Sequence, residues 1–204
     1  MNFLAHAFLS GDDDEMLIGN FIADAVKGNR LEQFNNGVRE GISLHRRIDS
    51  FTDHHPVFIR SKHRIQKEYG KFSGVVIDIY YDHFLALDWD IYSDNELSEF
   101  ALHVYDLMLR NYTLLPARSK RILPYMVIHN WLVGYSRFKD LQWVFNGMSR
   151  RSRKYNSGME GAVESLRKHY SSFHEDFKEF FPEMIVYAKD IREELGAKDL
   201  SRPL

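Results

Sequence analysis

The sequence predicts an all-α fold. Apolar residues recur three and four apart in nearly every segment, alternating runs that would mark strands are scarce, and helix-starting and helix-stopping residues punctuate the periodic stretches. No heptad is sustained, so the pattern is that of a globular helical array rather than a coiled coil. Asp12, Asp13 and Asp14 open a helix whose apolar stripe includes Leu17, Ile18, Phe21 and Ile22, with Gly28 as its stop. A second helix runs from about Gly37 towards Thr52. Pro56 opens a third at its first turn, and Gly70 closes it. Val75, Ile79 and Leu85 mark a fourth, and Leu97, Phe100, Ala101, Val104, Leu107 and Met108 a fifth. Two more follow, over Ile122 to Leu132 and Leu141 to Met148. A long late helix is traced by Ala162, Val163, Leu166, Tyr170, Phe173 and Phe177, with a bend expected near Pro182. About eight to ten helices are expected in all.

The chain has 204 residues, of which 44% are hydrophobic and 14% aromatic, enough to build a sizeable core without staples. No Gly-, Ser- or Pro-rich linker interrupts it, so residues 1–204 read as one domain. Its net charge of −2 creates no global field for nucleic acid or membrane, and the basic run Arg150-Arg151-Ser152-Arg153-Lys154 is too short to reverse that reading. There is no cysteine, which excludes disulfides and thiol catalysis and fits a cytoplasmic location. No apolar run reaches the length of a membrane span. The Gly-rich phosphate loop, the G-x-S-x-G elbow and the H-E-x-x-H helix are all missing.

What stands out is a set of ionisable residues on faces expected to be apolar. Residues three, four and seven apart share a helix face. Leu17, Phe21 and Asp24 line up, with Asn20 and Lys27 beside Asp24. A carboxylate on such a stripe is expensive unless paired or bound to a metal, and an Asp24–Lys27 ion pair is the plain alternative. Val38, Ile42, His45, Asp49 and Thr52 form another stripe, on which His45 and Asp49 can reach one point. An imidazole with a carboxylate suits manganese, iron or zinc, while the plain alternative is a His–Asp hydrogen bond in a packed core. Arg46 and Arg47 lie between them, and arginine forks match phosphate oxygens. Asp78 and Asp82 stand four apart on an otherwise apolar helix with His83 adjacent, and two such carboxylates repel unless a cation or proton lies between them. His6 completes the candidates. His129 reads as a hydrogen-bonded core histidine. Together, His6, Asp24, His45, Asp49, Asp78, Asp82 and His83 could surround one pocket, the arrangement needed to activate a water on a metal.

The runs MNFLAHAFLS, LIGNFIADAVKG, GISLHRRIDSFTDHHP, DIYYDHFLA and GMSRRSR, in this order between residue 1 and about residue 155, resemble the acyl carrier protein phosphodiesterases. Residues beyond 156 carry no recognised motif. The resemblance implies an all-helical, manganese-dependent hydrolase, distantly related to the HD phosphohydrolases, that removes phosphopantetheine from holo acyl carrier protein. That superfamily's usual signature is an adjacent His-Asp pair; the nearest feature here is the reversed pair Asp82-His83. On this reading His6, Asp24, His45, Asp78, Asp82 and His83 are the candidate metal ligands. Asp49 is a further ligand or the base that orients the water, and Arg46 and Lys27 steady the phosphodiester. Arg47, Arg150 and Arg151 bind substrate. Arg118, Lys120 and Arg121, with Arg150, Arg151, Arg153 and Lys154, form two basic clusters suited to an acidic carrier protein. A metal phosphohydrolase of nucleotides or small phosphate esters and a non-catalytic helical binding protein are the competing readings.

Overall fold

Short polar side chains set where the helices begin. Asn2 accepts a hydrogen bond from the Phe3 N–H (2.9 Å) at the start of α1, Phe3–Leu9. Asp13 does the same for Met16 N–H (2.9 Å) at α2, Asp14–Ile22, and Asn35 for Val38 N–H (3.0 Å) at α3, Asn36–His54. Pro56 stands in the first turn of α4, Pro56–Tyr69, and Gly70, at φ +51°, ends it in a conformation other residues adopt only under strain. There follow α5 (Ser73–Leu87), α6 (Trp89–Tyr92), α7 (Leu97–Arg110), α8 (Ala117–Ile128), α9 (Trp131–Gly134), α10 (Phe138–Arg151), α11 (Ala162–Lys168) and α12 (Tyr170–Leu200). This computed structural model describes residues 1–200, and only the backbone of Asn29, Arg30, Arg153 and residues 197–200. Among the described residues there are twelve α-helices and no strand, so the chain is all-α. No helix among them is long and apolar enough to cross a membrane.

Several boundaries differ from the sequence expectation. The helix opened by Asp12–Asp14 ends at Ile22, and Ala23–Ala25 forms a tighter 3-10 turn, so Asp24 leaves the stripe of α2. The Ile122–Leu132 stretch divides at Asn130, which takes the left-handed conformation (φ 44°). The late helix divides at His169, and α12 then runs on through Pro182. Helix α1 is additional to the segments that periodicity marked.

Helix α5 lies in the middle of the molecule. Tyr80, Tyr81, Phe84 and Leu85 are completely buried, and α1, α4 and α12 pack around them. From α12, Phe173 meets Tyr80 (ring centroids 5.1 Å) and Phe177 meets Tyr81 (5.6 Å). Full burial of each such side chain contributes about 1.5–3 kcal/mol. Helices α2 and α3 cross backbone to backbone. A Cβ added at Gly19 would fall 2.0 Å from the Val38 carbonyl oxygen, and one at Gly41 would fall 2.1 Å from that of Met16. This crossing brings Asn20 of α2 against His45 of α3.

Candidate metal centre and its cleft

The α3 stripe that carries Val38 and Ile42 into the core continues through His45, Asp49 and Thr52, and its last part faces a cleft of about 360 Å³. Helix α1 brings His6 to the same cleft. The imidazoles of His6 and His45 stack with centroids 3.9 Å apart and planes 16° apart. The carboxylate of Asp49 bridges them: Oδ1 is 3.1 Å from His6 Nε2 and Oδ2 is 3.2 Å from His45 Nε2. Asp24 approaches from the mouth, its Oδ1 3.4 Å from His45 Nε2. Ligand atoms from His6, His45 and Asp49 all lie within 4.8 Å of one another.

Asn20 orients this group. Its amide donates to the His6 carbonyl (2.8 Å) and to Ser10 Oγ (3.0 Å), so its Oδ1 faces His45 Nδ1 at 2.9 Å and accepts that proton. The neutral tautomer of His45 therefore presents the Nε2 lone pair to the cleft, the arrangement found in metal-ligating histidines. Two buried polar atoms at the cleft, His6 Nδ1 and Thr52 Oγ1, have no partner among the described residues.

The titration of these groups follows from the crowding. Burial, with the adjacent His45, holds His6 down at about 4. Burial also works against a charged His45, but hydrogen bonds from it to Asp24 and Asp49 prevail and lift it to about 9. Burial would raise Asp49, yet hydrogen bonds from His45 and His6 hold it far below the usual carboxylate range. Without a cation, a proton on His45 balances the carboxylates. The donor set of two imidazoles and one carboxylate, with a second carboxylate at the mouth, fits a divalent cation of the borderline class.

The remaining expected residues lie elsewhere or do other work. Asp78 lines the cleft, but its Oδ1 receives the Met1 ammonium at 2.7 Å. Asp82, one turn further along α5, sits beneath α1 and accepts from the backbone N–H groups of Leu4 (2.8 Å), Asn2 (3.3 Å) and Ala5 (3.3 Å). It anchors the helix that carries His6, so the expectation that it joins the ligands is corrected. His83 is corrected likewise. It points to another side of α5, where Nδ1 meets the Tyr135 carbonyl (2.7 Å) and Nε2 the Tyr170 hydroxyl (3.2 Å). Arg46 is next to His45 in sequence, about 100° round the helix, and is exposed outside the cleft. Arg47 pairs with Glu194 of α12 at 2.7 Å. Lys27 is exposed, does not line the cleft and makes no ion pair with Asp24.

Arg118 of α8, a member of one of the two basic clusters expected to meet the carrier protein, stands at the cleft wall. Arg121 and Arg151 line the adjoining cavity, whereas Arg150 and Lys154 are exposed away from both. The Lys120 ammonium is held by the Thr113 carbonyl at 3.0 Å, and the side chain of Arg153 lies outside the described residues. His129 is exposed and packs its ring on Trp143 (4.9 Å), which corrects its reading as a core histidine.

Residues 1–184 match the family model described as acyl carrier protein phosphodiesterase. A protein of that name from Photorhabdus laumondii is 33% identical over 93% of this chain and 96% of its own length. Its namesake from Yersinia enterocolitica is 31% identical over 93% of this chain and 98% of its own. The one from Escherichia coli O157:H7 is 33% identical over 92% and 97% respectively. No solved structure matches the chain.

Proposed function

We propose that this chain, which belongs to the acyl carrier protein phosphodiesterase family, hydrolyses the phosphodiester that joins phosphopantetheine to the serine of holo acyl carrier protein. Water adds to phosphorus, the bond from phosphorus to the serine oxygen breaks, and the serine oxygen takes a proton. The products are apo carrier protein and free phosphopantetheine. The observation that carries this reading is the convergence of His6, His45 and Asp49 on a cleft that also holds Arg118, in a chain of that family.

His6 Nε2, His45 Nε2 and Asp49 would hold the divalent cation, manganese on the family resemblance. When bound, it supplies Lewis-acid polarisation of a phosphoryl oxygen and a lowered pKa for water. Asn20 keeps His45 in the tautomer that leaves Nε2 unprotonated. Asp24 keeps Oδ2 for a hydrogen bond from the attacking water, which it orients. Arg118 neutralises charge on the phosphoryl oxygens as the serine oxygen departs. Arg118, Arg121 and Arg151 present positive charge to an acidic carrier protein, which raises the encounter rate more than the rate of the chemical step.

The test is incubation of holo acyl carrier protein with the purified chain and Mn²⁺, followed by mass spectrometry of the intact carrier. The expected result is loss of the phosphopantetheine mass and appearance of the free arm. An unchanged carrier mass would overturn the proposal.

A further inference from the structure

A second cavity of about 620 Å³ opens beside the metal cleft. The two share Asn2, Phe3, Arg118 and Met148, so a chain-like molecule with one end in the cleft can lie along the other cavity. Two helix faces build its walls. From α8 come Arg118, Arg121, Ile122 and Tyr125, three, four and seven residues from the first, and hence on one side of the helix. From α10 come Val144, Gly147, Met148 and Arg151 with the same spacing. Trp131 and Trp143 add aromatic surface, edge to face at 5.7 Å.

The lining is incompletely satisfied in this state. Tyr125 is 56% exposed and Trp143 49%, an unusual amount of aromatic surface left to water at one place. The Trp131 indole N–H is buried and has no acceptor among the described residues. Gly147 stands in the interior of α10, where glycine weakens a helix, and an added Cβ would meet only the Arg151 guanidinium, at 3.5 Å. The missing side chain widens the groove instead of allowing a close helix crossing.

We propose that this groove binds the phosphopantetheine arm of the substrate. Arg118 stands at the junction, against the phosphate, and the Tyr125, Trp131 and Trp143 wall covers the arm's dimethyl and amide-bearing chain. The inference rests on the carrier-protein reading above and adds where the leaving group lies. An arm of that chemistry carries both what the walls lack and what they offer: amide carbonyls for an unpaired N–H, aliphatic carbon for aromatic faces, and a phosphate for an arginine. The folded body of a carrier protein is too large to enter and must remain at the rim, near Arg121 and Arg151.

The groove is tested with Gly147→Leu, which fills it with a residue that favours helix. Trp143→Ala is the second variant, at a half-exposed site where folding is not at stake. Phosphopantetheine is titrated into the protein without added metal, and tryptophan fluorescence is followed. A saturable change is expected in the wild type, with Kd raised on the order of tenfold in both variants. With Mn²⁺, both should raise KM for holo carrier protein by a similar factor and change kcat less. The ratio of carrier to bis(4-nitrophenyl) phosphate turnover should also fall. Wild-type Kd and KM in both variants would overturn the inference. The two readings fail separately. Release of the arm with unaltered variant kinetics removes the groove and keeps the reaction. Variant-sensitive binding of phosphopantetheine without release from carrier protein removes the reaction and keeps the groove.

Discussion

Asp49 and Asp176 are both carboxylates that helices carry towards the interior, and they meet opposite surroundings. Asp176, on α12, is 2% exposed, and every direction around it is used. Its Oδ1 accepts from Arg60 Nε (2.7 Å) and Arg64 Nη2 (3.2 Å), and its Oδ2 from Ser61 Oγ (2.6 Å). Ser61 in turn meets the Tyr81 hydroxyl at 3.0 Å, which ties α4, α5 and α12 together. Asp49 has no arginine. It holds two imidazoles beside an open cleft in which His6 Nδ1 and Thr52 Oγ1 have no partner among the described residues. A buried charge is therefore no indication of function in itself. At Asp176 donors saturate the charge and the cluster is structural; at Asp49 the donors leave coordination unfilled, and the cluster can take a ligand.

The comparison is broken most sharply by removing each carboxylate. Asp49→Ala should lower phosphopantetheine release from holo carrier protein on the order of 100-fold or more, with helicity by circular dichroism unchanged. Asp176→Ala should do the reverse. It takes the carboxylate from Arg64 and Ser61, leaves Arg60 with Glu179 alone, and should cost about 3 kcal/mol. That is the low end for a buried pair, because Arg60 and Arg64 keep 45% and 30% of their side-chain surface in water. A fall in melting temperature of roughly 10 °C would follow, with turnover by the protein still folded close to wild type. Loss of activity in Asp176→Ala at a temperature where it remains folded would blur the distinction.

A smaller effect is expected one shell out. Asn20→Ala frees the Nδ1 side of His45 and should lower metal affinity by about 10- to 100-fold, measured by Mn²⁺ titration. Wild-type affinity in this variant would deny Asn20 its orienting work.

The smallest effect belongs to Asp82, a carboxylate of the Asp176 kind. Burial pushes it up to about 7, against the pull of the Leu4, Ala5 and Asn2 N–H groups and the Met1 ammonium. A carboxyl raised in the folded state binds more protons folded than unfolded. Its contribution is thus full below the unfolded value of about 4 and declines as pH rises to about 7. Asp82→Asn does not titrate. Between about pH 5 and about pH 6.5 the stability difference should move in the variant's favour, on the order of 1–2 kcal/mol. Melting temperatures of the two proteins across that range check it, and a constant difference would count against the sign.

The pairing of His45 with Asp49 was legible in the sequence because an i, i+4 spacing on an apolar stripe is a local property. So were the starts of α2 and α4, written in the run Asp12–Asp14 and in Pro56. Asp82 and His83 could not be placed the same way, because α5 is apolar on all sides and its polar residues reveal no preferred face. Asn20 was visible only as a neighbour of Asp24; its contact with His45 depends on the close crossing at Gly19 and Gly41. Arg118 reads as one member of a surface cluster until α8 is packed against the Ala23–Ala25 turn. The groove between α8 and α10 is likewise a product of tertiary packing, and Asp176 lies in a stretch without motif.

On the proposed function the cation binds at His6, His45 and Asp49, and not at the saturated carboxylates Asp82 and Asp176. Mn²⁺ titration by calorimetry tests it most directly, on metal-free wild type and on His45→Ala, Asp49→Ala, Asp82→Asn and Asp176→Asn variants shown to be folded. Saturable binding is expected in the wild type, retained in Asp82→Asn and Asp176→Asn and lost in His45→Ala and Asp49→Ala. Binding that survives both His45→Ala and Asp49→Ala, or that disappears in folded Asp82→Asn, would contradict it.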